Sequence, residues 1–194
     1  MKELISDFLK TQKSLLEEII LDHSKIIEFT ELLIEARNKG KKIFMMGNGG
    51  SGSTASHFTS DLLKTAITKG DKRFQVFSLT DNIPVILAWS NDATYDDIFV
   101  EQLKNQLSKG DLIIGFSGSG NSKNLLKAFQ YGKKSGAICI GLTGKSGGKM
   151  KKFCNVCIMT PTNDMLQIES LHVVLCHCII SSIRKIGKPL FTYE

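Results

Sequence analysis

The chain has 194 residues, 42% of them hydrophobic and 23% charged, which suits one well-buried globular domain and leaves little for a second. Its 25 basic and 19 acidic residues give a formal charge of +6, pointing to an anionic partner, either a small phosphorylated molecule or nucleic acid. The basic residues are scattered, with only short clusters such as Lys149, Lys151 and Lys152. They lack the aromatic-interleaved stripe of single-strand binders, so nucleic acid is not expected. No apolar run approaches the roughly 20 residues that span a bilayer. Acids interrupt the opening stretch MKELISDFLKTQKSLLEEII, unlike a secretory signal. A cytoplasmic protein with no membrane association is the expectation.

Two helices are predicted first. Leu4, Ile5, Phe8, Leu9, Leu15, Leu16, Ile19 and Ile20 recur at three- and four-residue steps over residues 2–22. A second helix runs from Ser24, a predicted N-cap, to Gly40, a predicted C-cap. These leading helices carry a large apolar face, for which a partner subunit is a natural cover. After Gly40 the pattern alternates. KIFMMG is a strand, and a helix follows through Lys64; RFQVFSL is the next strand. NIPVILAWS and 95–107 read as helices, DLIIGFS as a strand, 122–135 as a helix and AICIGLT as a strand. A short helix at 147–153, the strand NVCIMT and a long helix from Asn163 to Lys185 complete the series. Such alternation predicts a three-layer αβα sandwich around a five-stranded parallel sheet. Residues 1–194 are read as one domain, with 1–40 engaged in oligomer packing and 41–194 forming the α/β core.

Five cysteines, an odd number, argue against a disulfide framework. Cys154 and Cys157 form a lone CxxC in a strand-like stretch, and Cys139, Cys176 and Cys178 have apolar neighbours. All five read as structural thiols.

In an open parallel sheet, ligands bind outside the carboxyl ends of the strands. Two Gly/Ser loops lie there, GNGGSGSTASHF at 47–58 and SGSGNS at 117–122. Each leads into a helix N-terminus, whose unpaired N–H groups and partial positive charge favour an anion. A turn with one N-cap needs a single Ser and Gly. Ser117, Ser119 and Ser122 instead place three hydroxyls around one helix start, a pattern suited to a phosphate monoester. GLTGKSGG is not a Walker loop, because position 139 is Cys rather than Gly. Gly47, Gly49 and Gly52 match GxGxxG, but no acid ends the following strand, which argues against a dinucleotide.

Four residues suit proton transfer. His57 and Asp61 are four apart and share a helix face. Glu169 and His177 are eight apart, roughly 80° around the last helix and about 12 Å along it. Two helices each bringing a His and a carboxylate would also make a mixed N/O zinc site. The competing readings are a surface His57–Asp61 pair and a core His177 in VVLCHCII; His172 is read as packing or as support for the site.

The loops, SNDATYDDIF at 90–99, LTGKSGGKM at 142–150 and the His-bearing terminal helix occur together in an order that resembles sugar isomerase (SIS) domains. Nearly the whole chain is similar, most of all to the phosphoheptose isomerases, which convert sedoheptulose 7-phosphate to a heptose 7-phosphate for surface polysaccharides. The resemblance implies a homotetramer with active sites between subunits and one zinc per subunit on His57, Asp61, Glu169 and His177. It implies catalytic roles for Asp61, Glu169 and His177. Substrate contacts are implied at Asn48, Gly49, Ser51, Asn91, Asp92, Ser117, Gly118, Ser119 and Ser122. The sequence also departs from those relatives: Asp61 stands for Glu, Glu169 for Gln, and Gly118 for a hydroxyl residue. This alignment is anchored on His177; anchoring on Gln167 instead shifts it by two residues. Asp61 carries its carboxylate on the order of 1 Å closer to the backbone, a displacement able to cost about a hundredfold in rate. A non-catalytic phosphosugar-binding tetramer, as among replication-initiator-associating SIS proteins, is the alternative expectation.

Overall fold

The computed structural model describes residues 1–192. Its strands are β1 (Lys42–Gly47), β2 (Gln75–Ser78), β3 (Leu112–Ser117), β4 (Ile138–Thr143) and β5 (Val156–Met159). The helices before β3 are α1 (Lys2–Leu21), α2 (Ser24–Lys39), α3 (Gly50–Ser60), α4 (Ile83–Asp92) and α5 (Val100–Gln106). After it come α6 (Lys123–Lys134) and α7 (Met165–Ile186). The strands pair in parallel in the order β2-β1-β3-β4-β5. The order reverses between β1 and β3, so the ligand crevice of a parallel sheet opens there. Gly47 is level with Phe116, and Ser117 with Thr143. The loops after β1 and β3 therefore leave the same sheet edge side by side.

Successive strand residues point to opposite faces, and both faces are covered. Ile43 and Met45 pack with α2, α3 and α7, through residues such as Phe29, Phe58 and Leu175. Phe44 and Met46 pack with α5 and α6, through Leu103, Leu125 and Phe129. The predicted three-layer sandwich is thus observed. Helix α2 buries Phe29 and Leu33 completely, so it belongs to the sandwich as well as to the leading pair.

Helix α1 differs, since none of its residues is buried and Leu4, Leu9 and Leu21 are 69%, 60% and 87% exposed. It rests near the start of α7, where Gln167 Nε2 donates to Phe8 O at 3.2 Å. An apolar groove of about 450 Å³ lies between α1, α2 and α7, lined by Ile19, Ile20, Ile27, Val174 and Ile186 among others. Helix α7 is long and apolar enough to cross a membrane by length and composition, but half of that window is buried within the protein. It is the core helix of the sandwich.

Local details refine three expectations. Ser24 begins α2 but does not cap it; Asp22 Oδ1 accepts the Ser24 hydroxyl at 2.7 Å and its N–H at 3.2 Å. Gly40 does end α2, in the left-handed conformation at φ +65°. The 95–107 segment is a short 3-10 turn at Tyr95–Asp97 followed by α5.

The cysteines are free thiols. Burial raises Cys139 to about 11, whereas the hydrogen bond with Cys154 draws Cys157 down to about 7. Cys178 is exposed and borders the apolar groove.

Candidate functional site

The loop after β1 turns into α3 through Gly49, at φ +54° with open space around it, and Gly50, which sits against α7. A side chain at Gly50 would collide with the Glu169 carboxylate, so this glycine lets α7 carry an acid beside the first turn of α3. Ser51 is buried there. Asn48 is tied to the neighbouring loop: its Nδ2 donates to Asn124 Oδ1 at 3.0 Å, and Asn124 Nδ2 donates to Asn48 Oδ1 at 2.8 Å. Tyr95 Oη donates to the same Asn48 oxygen at 2.9 Å. A cavity of about 510 Å³ opens here, with Asn48, Gly49, Ser53, Ser56, Thr80 and Tyr95 in its wall. Ser56 Oγ meets Thr80 Oγ1 at 3.0 Å and donates to Asp81 Oδ1. Asn124, Tyr95, Ser56 and Thr80 were not among the candidates from sequence. SNDATYDDIF carried a signal for Tyr95, the aromatic residue of an otherwise polar loop.

The loop after β3 is held by its own side chains. Buried Ser117 accepts the Gly120 N–H at 3.2 Å, and its hydroxyl lies 3.3 Å from that of Ser122. Exposed Ser119 accepts the Asn121 N–H at 3.1 Å. Gly120 has φ +63° and its Cα faces the Gly147 carbonyl, so any side chain there would be strained twice. Gly118 contributes no side chain because Met165 at the start of α7 fills that space. Its carbonyl instead accepts the Gly144 N–H at 2.9 Å. Ser122 immediately precedes α6, so Ser117 and Ser122 bring two neighbouring hydroxyls to a helix N-terminus, with Ser119 exposed on the same loop. Asn91 and Asp92 end α4, exposed and bonded to one another at 2.8 Å; neither is among the residues lining the 510 Å³ cavity.

Helices α3 and α7 lie alongside with matching direction: Gly50 faces Glu169, His57 faces His177, and Arg184 donates to Thr65 O at 2.7 Å. His57 Nε2 and His177 Nε2 are 2.8 Å apart. Asp61 Oδ2 lies 3.5 Å from the first and 3.7 Å from the second. Asp61 thus lies within ion-pair distance of both imidazoles. A π-helical turn, Asp61–Thr65, begins at this residue, and Thr65 Oγ1 donates to the other carboxylate oxygen at 3.0 Å. Three donor atoms lie within 4.8 Å of one another, a mixed N/O set that fits zinc.

Glu169 is not among the three donors of that cluster. It sits about two turns earlier on α7, beside Gly50, and lines an open cavity of about 420 Å³ together with Ser53, His57 and Ser170. His172 is fully buried, 3.4 Å from Thr143 O. Burial lowers its pKa from 6.5 to about 4, so it is a neutral packing residue, as one of the two readings of it held.

The SIS domain model matches residues 7–144. The chain belongs to the SIS domain family. As an SIS domain it is 35% identical over 181 residues to a phosphoheptose isomerase of Aliarcobacter butzleri, covering 93% of this chain and 95% of that one. It is 32% identical over 188 residues to the phosphoheptose isomerase of Aneurinibacillus thermoaerophilus, covering 93% and 94%. The solved phosphoheptose isomerase of Neisseria gonorrhoeae superposes with a TM-score of 0.86 at 25% identity, covering 95% of this SIS domain and 98% of that chain.

Proposed function

We propose that this SIS domain is a ketose–aldose isomerase of phosphorylated sugars, converting sedoheptulose 7-phosphate to D-glycero-D-manno-heptose 7-phosphate in the cytoplasm. The observation that carries the reading is the convergence of His57, Asp61 and His177 on a helix pair that starts beside the serine loop. The names of the relatives supply the substrate.

In this reading Ser117, Ser119 and Ser122, with the N-terminus of α6, hold the phosphate. Ser51 adds a hydroxyl, and Asn48 meets the sugar. Isomerisation moves a proton from the carbon beside the carbonyl to its neighbour through an enediol, which needs a base at carbon and an acid near the oxygens. Glu169 supplies the carboxylate nearest the loops and takes the proton from carbon. Without zinc, His177 exchanges a proton with the oxygens, oriented by Asp61 and His57; as a zinc ligand its Nε2 would not be free to do so. Zinc, one per subunit, would be held by His57, Asp61 and His177, with Glu169 entering only if its side chain reorients. When bound it supplies Lewis-acid polarisation of the substrate oxygens. The exposed face of α1 and the groove beside it are read as the contact that builds a homotetramer, with active sites at subunit boundaries.

The test is isomerisation of sedoheptulose 7-phosphate followed by product NMR, comparing EDTA-treated and zinc-reconstituted protein. Turnover restored by zinc supports the whole reading. Equal turnover in both removes the metal from it. Silence in both, from folded protein that still binds the sugar phosphate, overturns the sedoheptulose 7-phosphate assignment and moves the reading to another sugar phosphate or to a binding role.

A further inference from the structure

Asparagine is ambiguous as a ligand contact, because its amide both donates and accepts. Here the hydrogen bonds around Asn48 remove that ambiguity, starting from a group that can only donate. The backbone N–H of Leu125 lies 2.9 Å from Asn124 Oδ1, which fixes which end of the Asn124 amide is oxygen. The Asn124 nitrogen must then face Asn48, and what it faces must accept: Asn48 Oδ1, at 2.8 Å. The reciprocal bond, Asn48 Nδ2 to Asn124 Oδ1 at 3.0 Å, closes a two-amide ring. Tyr95 Oη lies 2.9 Å from the same Asn48 oxygen, so the phenol is the donor there. Both lone pairs of Asn48 Oδ1 are occupied, while its Nδ2 has used one of two N–H groups. Asn124 is 2% exposed, so the ring is buried on its far side and open only where Asn48 and Tyr95 line the 510 Å³ cavity.

We propose that Asn124 and Tyr95 are positioning residues that hold Asn48 as a one-way contact: it donates an N–H to an oxygen of the bound sugar phosphate and cannot accept from a sugar hydroxyl. The ligand that fits presents an oxygen able to accept this N–H, as an open-chain ketose or polyol phosphate does. The inference rests on the phosphosugar reading of the site.

A double-mutant cycle tests it, because a residue acting through Asn48 loses its effect when Asn48 is gone. Calorimetric titration with glucitol 6-phosphate, an unreactive open-chain probe, is made on the wild type, Tyr95→Phe, Asn48→Ala and the double variant, with inorganic phosphate titrated in parallel. The proposal expects Tyr95→Phe to weaken the polyol phosphate by about three- to tenfold. It expects a change within about twofold in the Asn48→Ala background, with inorganic phosphate unaffected throughout. Equal losses in both backgrounds, or loss of inorganic phosphate to the same degree, overturn the proposal and leave the phosphosugar site standing. Failure of the wild type to bind either probe overturns the site reading and the proposal with it. Asn124→Asp keeps an acceptor for Leu125 but sets an oxygen against Asn48 Oδ1. It should weaken glucitol 6-phosphate more than Tyr95→Phe does while the protein still melts cooperatively, and unchanged binding would also count against the ring.

Discussion

Around the serine loop the short polar groups are bonded inside the chain: Ser117 to Gly120 and Ser122, Ser119 to Asn121, Asn48 to Asn124 and Tyr95. The histidine cluster is made differently. His57 and His177 stand 47% and 55% exposed on two helix faces, touching each other and one carboxylate. Turn chemistry and glycines fix the first region whether or not a ligand is present. The second consists of long side chains whose arrangement depends on what fills the space between them. Removing a metal or a histidine should therefore disturb the cluster and leave the loop intact.

The largest effect is expected at the cluster. His57→Ala and His177→Ala should each lower kcat by about 10²- to 10⁴-fold and abolish bound zinc measured by atomic emission, while affinity for inorganic phosphate stays within about twofold. A parallel collapse of phosphate binding would show that the two regions are one cooperative unit.

The next prediction concerns the buried histidine of the same helix as His177, outside the cluster. His172 is held neutral by burial, at about 4 instead of 6.5. Below pH 6.5 the unfolded chain binds a proton at this residue that the folded chain refuses. The stability it allows is therefore complete above pH 6.5 and declines as pH falls toward 4, by on the order of 3 kcal/mol. In urea titrations, His172→Leu should flatten that slope. An unchanged slope in His172→Leu would mean other groups govern acid stability.

The smallest effect concerns the loop glycine. Gly118→Ser meets the Met165 thioether, a flexible end that can swing outward because Met165 is 47% exposed. The melting temperature should fall by a few degrees, about 1 kcal/mol, and Met165→Ala should restore it. A drop that Met165→Ala fails to relieve would show that the loop backbone itself rejects a side chain there.

The order of strands and helices was legible because apolar periodicity and Gly punctuation mark each element, and all five strands fall where those signals place them. The serine loop was legible for the same reason, as local chemistry in six consecutive residues. What escaped the sequence is non-local. Asn124 meets Asn48 across 76 positions, and no periodicity announces that pairing. Met165 explains Gly118 only once α7 is docked. The π-helical turn at Asp61 is a shift of one backbone bond, Ala66 N–H to Asp61 O at 2.8 Å, which leaves no mark in composition. Glu169 and His177 were correctly spaced along one helix, but spacing could not tell that the acid would lie beside Gly50.

The amide ring has a consequence for the order in which the protein matures. It joins the end of β1 to the first turn of α6, and closing so long a loop is slow relative to local helix formation. During synthesis a chain that has emerged only through β2 already has the first glycine loop, but its Asn48 is free to turn. The grip on a sugar becomes directional only when β3 has been laid beside β1. The ring can therefore close only once the two wings of the sheet are joined and α6 has docked.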